Sequence, residues 1–478
     1  MNLALQASRY IPRGLVPSLP RSAHLIGIAG SGMRALADVL AAQGWQLSGS
    51  DLKPENPAWA AERGITVYVG HAAEQITSDA GLIVYSDAVG PENEERRRAK
   101  EIGLRQLGYP QMLGQLVRGR LGLAVAGTHG KSTTTAMAAE ILVAAGLDPA
   151  VIAGAAPLGK TSGGRAGRGP PILVEACEYR RNFLHLFPRY AVVTGIEHDH
   201  FDYFASADDV EAAFAEFISR LPANGALVFN AECPRACREA GRARSRVVSF
   251  GIDCAADWRA INLVQHSGLF HFDICSPGGN ICNIQLRVPG RHNVLNALAA
   301  AGLAAQLGVR QQFIQRGLER FAGLERRLER VGPWVGAVWY DDYAHHPTEI
   351  RAALAALRQM FPNRRIWCIF QPHQRSRTRA LLDEFADSLQ NADRIGIAEV
   401  FAAREYGGAA CLELAAELAE RTRERGSLVL RQHALGRLID EVGQQIALDD
   451  VLLTLGAGDI RKVWHANPGR IRSYRAAG

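Results

Sequence analysis

The sequence predicts an α/β fold with three domains and mostly parallel sheets, for three reasons. The chain has 478 residues, which is too long for one hydrophobic core. Residues 22–51 and 121–146 each contain an apolar strand, a glycine-rich turn and a helical pattern. A third apolar strand ends in the glycine turn of VLLTLGAGDI, residues 451–460. We place the domains at residues 1–111, 112–325 and 326–478.

The composition indicates a soluble cytoplasmic protein. A hydrophobic content of 47% with 21% charged residues is typical of a globular chain, and the net charge of +6 gives no indication of nucleic-acid binding. The eight cysteines are scattered without a CxxC pair, as expected for reduced thiols. Arg9 and Arg13 interrupt the N-terminus where a signal peptide would be apolar, and no uncharged run reaches the ~18 residues of a membrane helix.

The first strand leads into a turn that resembles a dinucleotide-binding loop. HLIGIAGSGM places glycines at Gly27, Gly30 and Gly32, and a helical pattern and a second strand then lead to Asp51. This layout is Rossmann-like, with Asp51 near the position of a ribose-binding acid. The spacing is not GxGxxG, so the turn alone does not identify the ligand.

The second strand leads into AVAGTHGKSTTTAM, residues 124–137, which predicts a phosphate-binding loop. Gly130, Lys131 and Ser132 match the end of the usual pattern, but Val125 stands where its first glycine would be. The order of strand, loop and helix still provides free N–H groups and a positive helix end for an anion. The chain has only five lysines among 54 basic residues, which favours a specific role for Lys131.

Acidic and histidine residues follow two further strand-like runs. Glu175 follows ILV, and EHDHFD at residues 197–202 follows YAVVTGI. Because ligands bind beyond the carboxyl ends of parallel strands, Glu175 and His200 could hold Mg²⁺ beside the hydroxyl of Ser132. The alternatives are that they are ordinary polar residues, or that the His-x-His-x-Asp spacing at residues 198–202 marks a two-metal hydrolase, although such sites need further histidines close by and the next residue is Tyr203.

Two later motifs also carry candidate functional residues. In GRHNVLNALAA, Asn293 fits a helix N-cap, and alternatively Asn293 and Asn296 lie on one helical face and could both meet a purine edge. In DDYAHHP, residues 341–347, doubled acids and histidines precede a proline in a loop of little packing value. This composition favours a functional role for that loop.

Taken together, these motifs resemble the Mur ligase family from about residue 24 to residue 463. The resemblance rests on their order along the chain, and the family's loop pattern, AxxGTxGK[ST], does not require a glycine at Val125. The motifs are GIAGSGM, SGSD, AGTHGKSTTT, EACEYRR, IEHDHFDYF, GRHNVLNALAA, DDYAHHPTEI, FQPHQRSRT and GAGDI.

The resemblance implies an enzyme with an N-terminal Rossmann-like UDP-binding domain, a central P-loop ATPase-type domain and a C-terminal Rossmann-like domain that positions an amino acid. It implies ATP-dependent ligation of L-alanine to the carboxylate of UDP-N-acetylmuramate through an acyl phosphate, in peptidoglycan precursor synthesis. The implied cofactors are ATP and Mg²⁺. We expect no nucleic-acid or membrane partner, and a monomer or homodimer.

The resemblance also assigns residues to roles. The implied catalytic residues are Lys131, Glu175, His200, His345 and Arg377. The implied ATP-binding residues are Gly127, Thr128, His129, Gly130, Lys131, Ser132, Thr133, Asn293, Asn296 and Asp342. The implied substrate-binding residues are Gly27, Gly30, Ser31, Gly32, Met33, Ser50, Asp51, Arg327, His373 and Arg377. The implied metal ligands are Ser132, Glu175 and His200.

Four positions depart from the family pattern, and three alternatives to the ligase remain. The departures are Arg34, Asp87, Gly195 and Gln374. Residues 201–221 contain no lysine, so the carbamylated lysine of some members is absent. The alternatives are a murein peptide ligase that joins a preformed peptide to the same sugar nucleotide, a nicotinamide oxidoreductase, and a non-catalytic relative.

Overall fold

The computed structural model describes residues 20–54, 58–405, 407–431 and 433–461, except for the side chain of Cys282. The predicted α/β class with mostly parallel sheets is confirmed, and the described strands form three sheets. The predicted domain ends at residues 1 and 478 lie outside the described residues. The boundary at residue 112 falls within a helix and that at 325 precedes the third sheet, and both stay predictions.

The N-terminal sheet is parallel throughout, in the order β3-β2-β1-β4-β5. Because the order reverses at β1, the loop after this strand lies at the position where doubly wound sheets bind ligands. The strands are β1 (Ser22–Ile26), β2 (Gln46–Asp51), β3 (Thr66–Val69), β4 (Leu82–Tyr85) and β5 (Arg105–Gly108). The helices are α1 (Ser31–Ala42), α2 (Ala58–Ala61), α3 (Glu94–Glu101) and α4 (Tyr109–Arg118), with 3₁₀ turns at Ala73–Gln75 and Ser78–Ala80.

The central sheet has ten strands in the order β15-β14-β13-β12-β11-β10-β6-β9-β7-β8. Its strands are β6 (Leu121–Ala126), β7 (Ala150–Ala153), β8 (Gly163–Arg165), β9 (Pro171–Glu175), β10 (Tyr190–Val193), β11 (Ala226–Asn230), β12 (Arg246–Gly251), β13 (Trp258–His266), β14 (Leu269–Cys275) and β15 (Ile281–Gln285). The helices are α5 (Lys131–Ala144), α6 (Ala207–Ser219), α7 (Pro234–Ala240), α8 (Arg291–Gln306) and α9 (Gln311–Arg320), with a 3₁₀ segment at Tyr179–His185. All neighbouring strands in the part β13-β12-β11-β10-β6-β9-β7 of this order are parallel. The strands β9 and β10 therefore flank β6 and end at the same edge of the sheet.

The C-terminal sheet has the order β16-β17-β20-β18-β19, and only the pair β16–β17 is antiparallel. Its strands are β16 (Glu329–Trp334), β17 (Ala337–Asp342), β18 (Ile366–Phe370), β19 (Arg394–Ile397) and β20 (Val451–Leu455). The helices are α10 (Pro347–Met360), α11 (Arg375–Ala380), α12 (Leu382–Ser388), α13 (Ala409–Glu424) and α14 (Leu435–Gln445).

Buried apolar clusters stabilise both faces of these sheets. β18 is buried along its whole length, as expected for a parallel strand covered by helices on both sides. Three fully buried tryptophans, Trp334, Trp339 and Trp367, fill one side of the C-terminal sheet. Within the described residues, no helix is both long and apolar enough to span a membrane. The cytoplasmic location and the monomer or homodimer state stay predictions.

Candidate active site

The phosphate-binding loop lies between β6 and α5, as the sequence predicts. Val125 is fully buried inside β6, so this position belongs to the strand and not to the loop. Gly127 and Gly130 have φ values of 133° and 78°, which favour glycine. A Cβ atom at Gly127 would clash with Thr194, and one at Gly130 would clash with Asn296. Both glycines are therefore required by backbone conformation and by space.

Lys131, the first residue of α5, is held inside its own loop. Its Nζ donates hydrogen bonds to the carbonyl oxygens of Gly127 at 2.6 Å and Thr128 at 3.0 Å, and to Glu178 Oε2 at 3.0 Å. Burial opposes the charge of the lysine, but the adjacent Glu178 carboxylate raises the pKa of Lys131. Glu178 is 1% exposed and has no role in the sequence-based site. Its one signal in the sequence is its position three residues after Glu175.

The predicted metal ligands lie on either side of Lys131. Ser132 Oγ is 3.0 Å from both carboxylate oxygens of Glu175, and the Gly154 N–H donates to Glu175 at 2.8 Å. His200, at φ 57°, has its Nε2 atom 3.5 Å from Glu178 Oε1. The structure therefore brings Ser132 and Glu175 together, while His200 contacts Glu178. Hydroxyl and carboxylate oxygens suit Mg²⁺, so Ser132 and Glu175 fit this ion.

A cavity of about 700 Å³ opens beside this loop and is lined by central and C-terminal residues. Its volume is in the range of cofactor sites. Most of the predicted ATP-binding residues line it, namely His129, Gly130, Ser132, Thr133, Asn293, Asn296 and Asp342, together with Arg327. The cavity is the candidate nucleotide site.

The two asparagines of α8 form a chain of amides in the cavity wall. Asn293 Nδ2 donates to the Pro289 carbonyl at 2.7 Å, Asn296 Nδ2 donates to Asn293 Oδ1 at 3.1 Å, and Thr134 Oγ1 donates to Asn296 Oδ1 at 3.2 Å. The interpretation of Asn293 as an N-cap is wrong, because the helix begins earlier, with Gly290 at that position. The contact of both amides with a purine stays a prediction.

Asp342 and Arg327 reach the cavity from the C-terminal part of the chain. Asp342 accepts N–H bonds at 2.7 Å from Leu328 and Ala344, and burial raises its pKa to about 6. The Arg327 guanidinium carbon lies 5.4 Å from the centre of the Tyr343 ring. A buried carboxylate and a cation thus line the same cavity, and the role of Asp342 in ATP binding stays a prediction.

His129 connects the phosphate-binding loop to the C-terminal domain. Its Nε2 atom lies 3.3 Å from Glu197 Oε2, and its Nδ1 atom lies 3.1 Å from Glu349 Oε1 in the first turn of α10. Thr348 Oγ1 also donates to Glu197 at 2.8 Å. Burial lowers the pKa of His129, but the two carboxylates outweigh it and raise the pKa to about 10. The imidazolium is therefore an ionic link between the two domains.

We expect this link to weaken at alkaline pH. The folded pKa of His129 lies above the ordinary value of 6.5, so its contribution is complete below pH 6.5 and is lost as the pH rises through about 10. The free energies of unfolding in urea of the wild type and of His129→Asn should therefore differ most just below pH 6.5 and converge as the pH rises to about 10. A difference that stays constant over this interval would contradict the charged link.

Three of the predicted catalytic and substrate-binding residues, His345, His373 and Arg377, lie close together. Arg377 Nε donates to Asp199 Oδ1 at 2.8 Å, and both residues are buried. His373 Nδ1 lies 3.3 Å from Arg377 Nη1, and the His345 and His373 ring centres are 6.1 Å apart. Burial lowers the pKa of His345 to about 4 and that of His373 to about 3, so both imidazoles are neutral. Asp199 is thus a partner of Arg377 that the motifs do not indicate.

The predicted substrate-binding turn follows β1. Asp51 accepts the Ala29 N–H at 3.0 Å, which fixes the turn. Ser50 is fully buried, and its hydroxyl donates to Glu95 at 2.6 Å, while His71 Nδ1 contacts the same carboxylate at 2.8 Å. Gly32 lies against the Tyr109 ring, which leaves no space for a side chain. Contacts of the remaining predicted residues, Gly27, Gly30, Ser31 and Met33, with substrate stay predictions.

The four departures from the family pattern have different surroundings. Asn182 donates to the Asp87 carboxylate, and the Arg34 guanidinium lies 4.8 Å from the centre of the Trp59 ring. Gly195 lines the cavity, and a Cβ atom there would meet only open space. Gln374 has φ 69°, and its Nε2 is buried without a hydrogen-bond partner among the described residues. Gly195 is therefore a departure that lines the candidate nucleotide cavity, and Gln374 directly follows His373 in the chain.

The possible hydrolase motif does not assemble into a metal site. His198 Nε2 contacts the Phe204 carbonyl at 3.2 Å, and Asp202 accepts the Tyr179 hydroxyl at 2.8 Å. Over the described part of the chain, two groups have metal-ligating atoms close enough to hold an ion, and neither includes His198 or Asp202. The spacing is therefore explained by local packing.

Comparison with known proteins identifies the family. Three family models match: Mur ligase family, catalytic domain (residues 22–121); Mur ligase middle domain (174–304); and Mur ligase, glutamate ligase domain (326–458). A protein of Desulfitobacterium hafniense, named UDP-N-acetylmuramate--L-alanine ligase, is 40% identical over 93% of this chain and 99% of its own length. The chain belongs to the Mur ligase family. The resemblance predicted from the motifs is thereby confirmed, and a nicotinamide oxidoreductase is excluded.

Further relatives agree with this membership. A protein of the same name from Aquifex aeolicus is 37% identical over 92% of this chain and 95% of its own. The crystal structure of the UDP-N-acetylmuramate-alanine ligase of Thermotoga maritima matches with a TM-score of 0.80 and 26% identity, covering 95% of this Mur ligase and 99% of that chain. A murein peptide ligase of Psychrobacter arcticus matches with a TM-score of 0.73 at 24% identity, over 94% and 98% of the two chains, which shows the shared fold alone.

Proposed function

We propose that this Mur ligase joins L-alanine to the carboxylate of UDP-N-acetylmuramate at the expense of ATP, in peptidoglycan precursor synthesis. The observation that carries the proposal is the cavity that Gly130 and Ser132 of the phosphate loop line together with Arg327 and Asp342 of the C-terminal domain. The names of the similar proteins, at 36–40% identity, support the same activity.

When ATP binds to the phosphate loop, its phosphates would replace the Glu178 carboxylate as the partner of Lys131. Lys131 is paired with Glu178 at 3.0 Å, and the phosphates of ATP would take over this ammonium together with the free N–H groups at the start of α5. The N–H groups also carry the positive end of the helix dipole. Lys131 would then neutralise charge on the terminal phosphoryl group while it is transferred.

Mg²⁺ would be held by Ser132 and Glu175, with His200 as the third predicted ligand. When bound, this ion neutralises charge on the phosphate oxygens during transfer. In this structure the Ser132 hydroxyl already lies 3.0 Å from the Glu175 carboxylate, so no large rearrangement of either side chain is needed.

The ligation itself follows from the reactivity of carboxylates. A carboxylate is a poor electrophile, so the γ-phosphoryl group is first transferred to it to give an acyl phosphate, which the amine of alanine attacks with loss of phosphate. Arg327 and Arg377 would orient the substrate carboxylates by charge. His345 and His373 are neutral, so they would not repel the ammonium group of the incoming amino acid, which must lose a proton before its nitrogen attacks.

The proposal is tested by phosphate release from ATP with Mg²⁺ and UDP-N-acetylmuramate. Alanine, serine, glycine and the preformed tripeptide are each supplied as the acceptor amine. We expect turnover with single amino acids, and alanine as the preferred one. Phosphate release with the tripeptide alone would assign the chain to the murein peptide ligases. No phosphate release with any acceptor would favour a non-catalytic relative.

A further inference from the structure

We propose that Cys177, Glu178 and His200 form a binding site for a thiophilic divalent cation, of which Zn²⁺ is the representative. The thiol sulfur, a carboxylate oxygen and an imidazole nitrogen of these residues all lie within 4.8 Å of one another. This separation is compatible with one ion at the centre of the three donors. None of the site assignments above includes Cys177.

The fold brings the three donors together from two strand ends. Cys177 and Glu178 follow the end of β9, and His200 lies in the loop after β10. Since β9 and β10 both flank β6, their carboxyl ends face each other across the phosphate-binding loop. Cys177 is exposed, whereas Glu178 is buried. An ion can therefore reach the thiol from solvent.

The chemistry of the donors favours zinc over magnesium. A cysteine sulfur, a histidine nitrogen and a carboxylate oxygen are typical zinc ligands, with a water molecule in the fourth position. Mg²⁺ prefers oxygen ligands and gains little from a thiolate. Mg²⁺ therefore suits the oxygen atoms of Ser132 and Glu175. Zn²⁺ suits the group formed by Cys177, Glu178 and His200.

Occupation of this site would interfere with catalysis, an effect that rests on the proposed function. Glu178 also holds the Lys131 ammonium at 3.0 Å, and His200 is a predicted magnesium ligand. A bound Zn²⁺ would engage both side chains and repel Lys131. For the same reason the ammonium competes with the ion, so Lys131→Ala should bind Zn²⁺ more tightly than the wild type.

The test is a Co²⁺ titration of the full-length protein with a non-chelating reductant and without ATP or substrate. We expect one Co²⁺ per chain with a thiolate-to-cobalt charge-transfer band in the near ultraviolet, and displacement of that band by Zn²⁺. Cys177→Ser should abolish the band and weaken Zn²⁺ binding by about tenfold or more. Cys237→Ser, a change at another exposed cysteine, should leave both unchanged.

Activity measurements separate this proposal from the proposed ligase function. Cys177→Ser should release phosphate with ATP and Mg²⁺ like the wild type, but should resist inhibition by Zn²⁺. Retention of the charge-transfer band in Cys177→Ser, or no thiolate band in the wild type at saturating Co²⁺, would overturn the site. Because the titration needs no substrate, its result is independent of which reaction the enzyme catalyses.

Discussion

Replacing Lys131 with alanine is expected to lower phosphate release by about a thousandfold, measured at saturating ATP and Mg²⁺ with UDP-N-acetylmuramate and alanine. The reason is electrostatic. The Lys131 ammonium lies at the start of α5, where the phosphates of ATP would meet the helix N-terminus. Phosphoryl transfer depends mainly on positioning and charge neutralisation, and the alanine variant has no cation at this place.

The same substitution also changes stability, because Glu178 loses its partner. Glu178 is 1% exposed, and removing one member of a buried ion pair costs about 3–5 kcal/mol in the free energy of unfolding. His200, at 3.5 Å, would compensate for part of this loss. The double variant Lys131→Ala/Glu178→Gln removes both charges, and we expect it to recover most of the stability and none of the activity.

These two variants distinguish loss of catalysis from loss of folding. Urea unfolding measures the stability of each, and phosphate release is measured on the folded fraction. A stable double variant without activity would support the catalytic assignment of Lys131. Near-normal turnover in either variant would refute it, whatever their stabilities.

The sheets and the phosphate loop were predictable because their signals are local. An apolar run, a glycine turn and a helical pattern lie within about 30 residues of sequence. The order of strand, turn and helix can therefore be predicted without knowledge of distant contacts. The burial of Val125 is a local feature of the same kind, because this apolar residue lies near the end of strand β6. Ser132 and Glu175 were predictable as neighbours because parallel strands present their carboxyl ends at one edge.

Contacts between distant segments could not be predicted in this way. Asp199 and Arg377 are separated by 178 positions, and neither the spacing nor the composition around Asp199 indicates its partner. Glu178 lies within the EACEYRR motif, but its contact with Lys131 depends on the path of the chain after β9. The start of α8 was misjudged at Asn293, because a glycine with positive φ, Gly290, precedes the helix. Pairings and caps of this kind are decided by tertiary structure.

The pair of Asp199 and Arg377 gives the second prediction with a large effect. Asp199→Ala leaves the guanidinium of Arg377, 2% exposed, without its carboxylate, and we expect a loss of about 3–5 kcal/mol in the free energy of unfolding. Burial opposes the charge of Asp199, but Arg377 outweighs it and lowers the pKa of that carboxyl below the ordinary value of 3.8. The contribution is therefore complete above pH 3.8 and is lost only as the pH falls through the lowered pKa, so the loss in Asp199→Ala should be full at neutral pH.

The matched control is Asp202→Ala in the same loop. Asp202 has a partly exposed side chain, accepts the Tyr179 hydroxyl at 2.8 Å and lies 3.9 Å from Arg404, so its removal should cost about 1–2 kcal/mol, less than that of Asp199. Asp199 belongs to the loop after β10 and Arg377 to α11, so their pair links the central and C-terminal domains. Limited proteolysis should therefore cut Asp199→Ala faster near residue 325 than it cuts Asp202→Ala. Equal stability and equal cleavage of the two variants would mean that the junction is held by other contacts, with the His129 link to Glu349 the first to test.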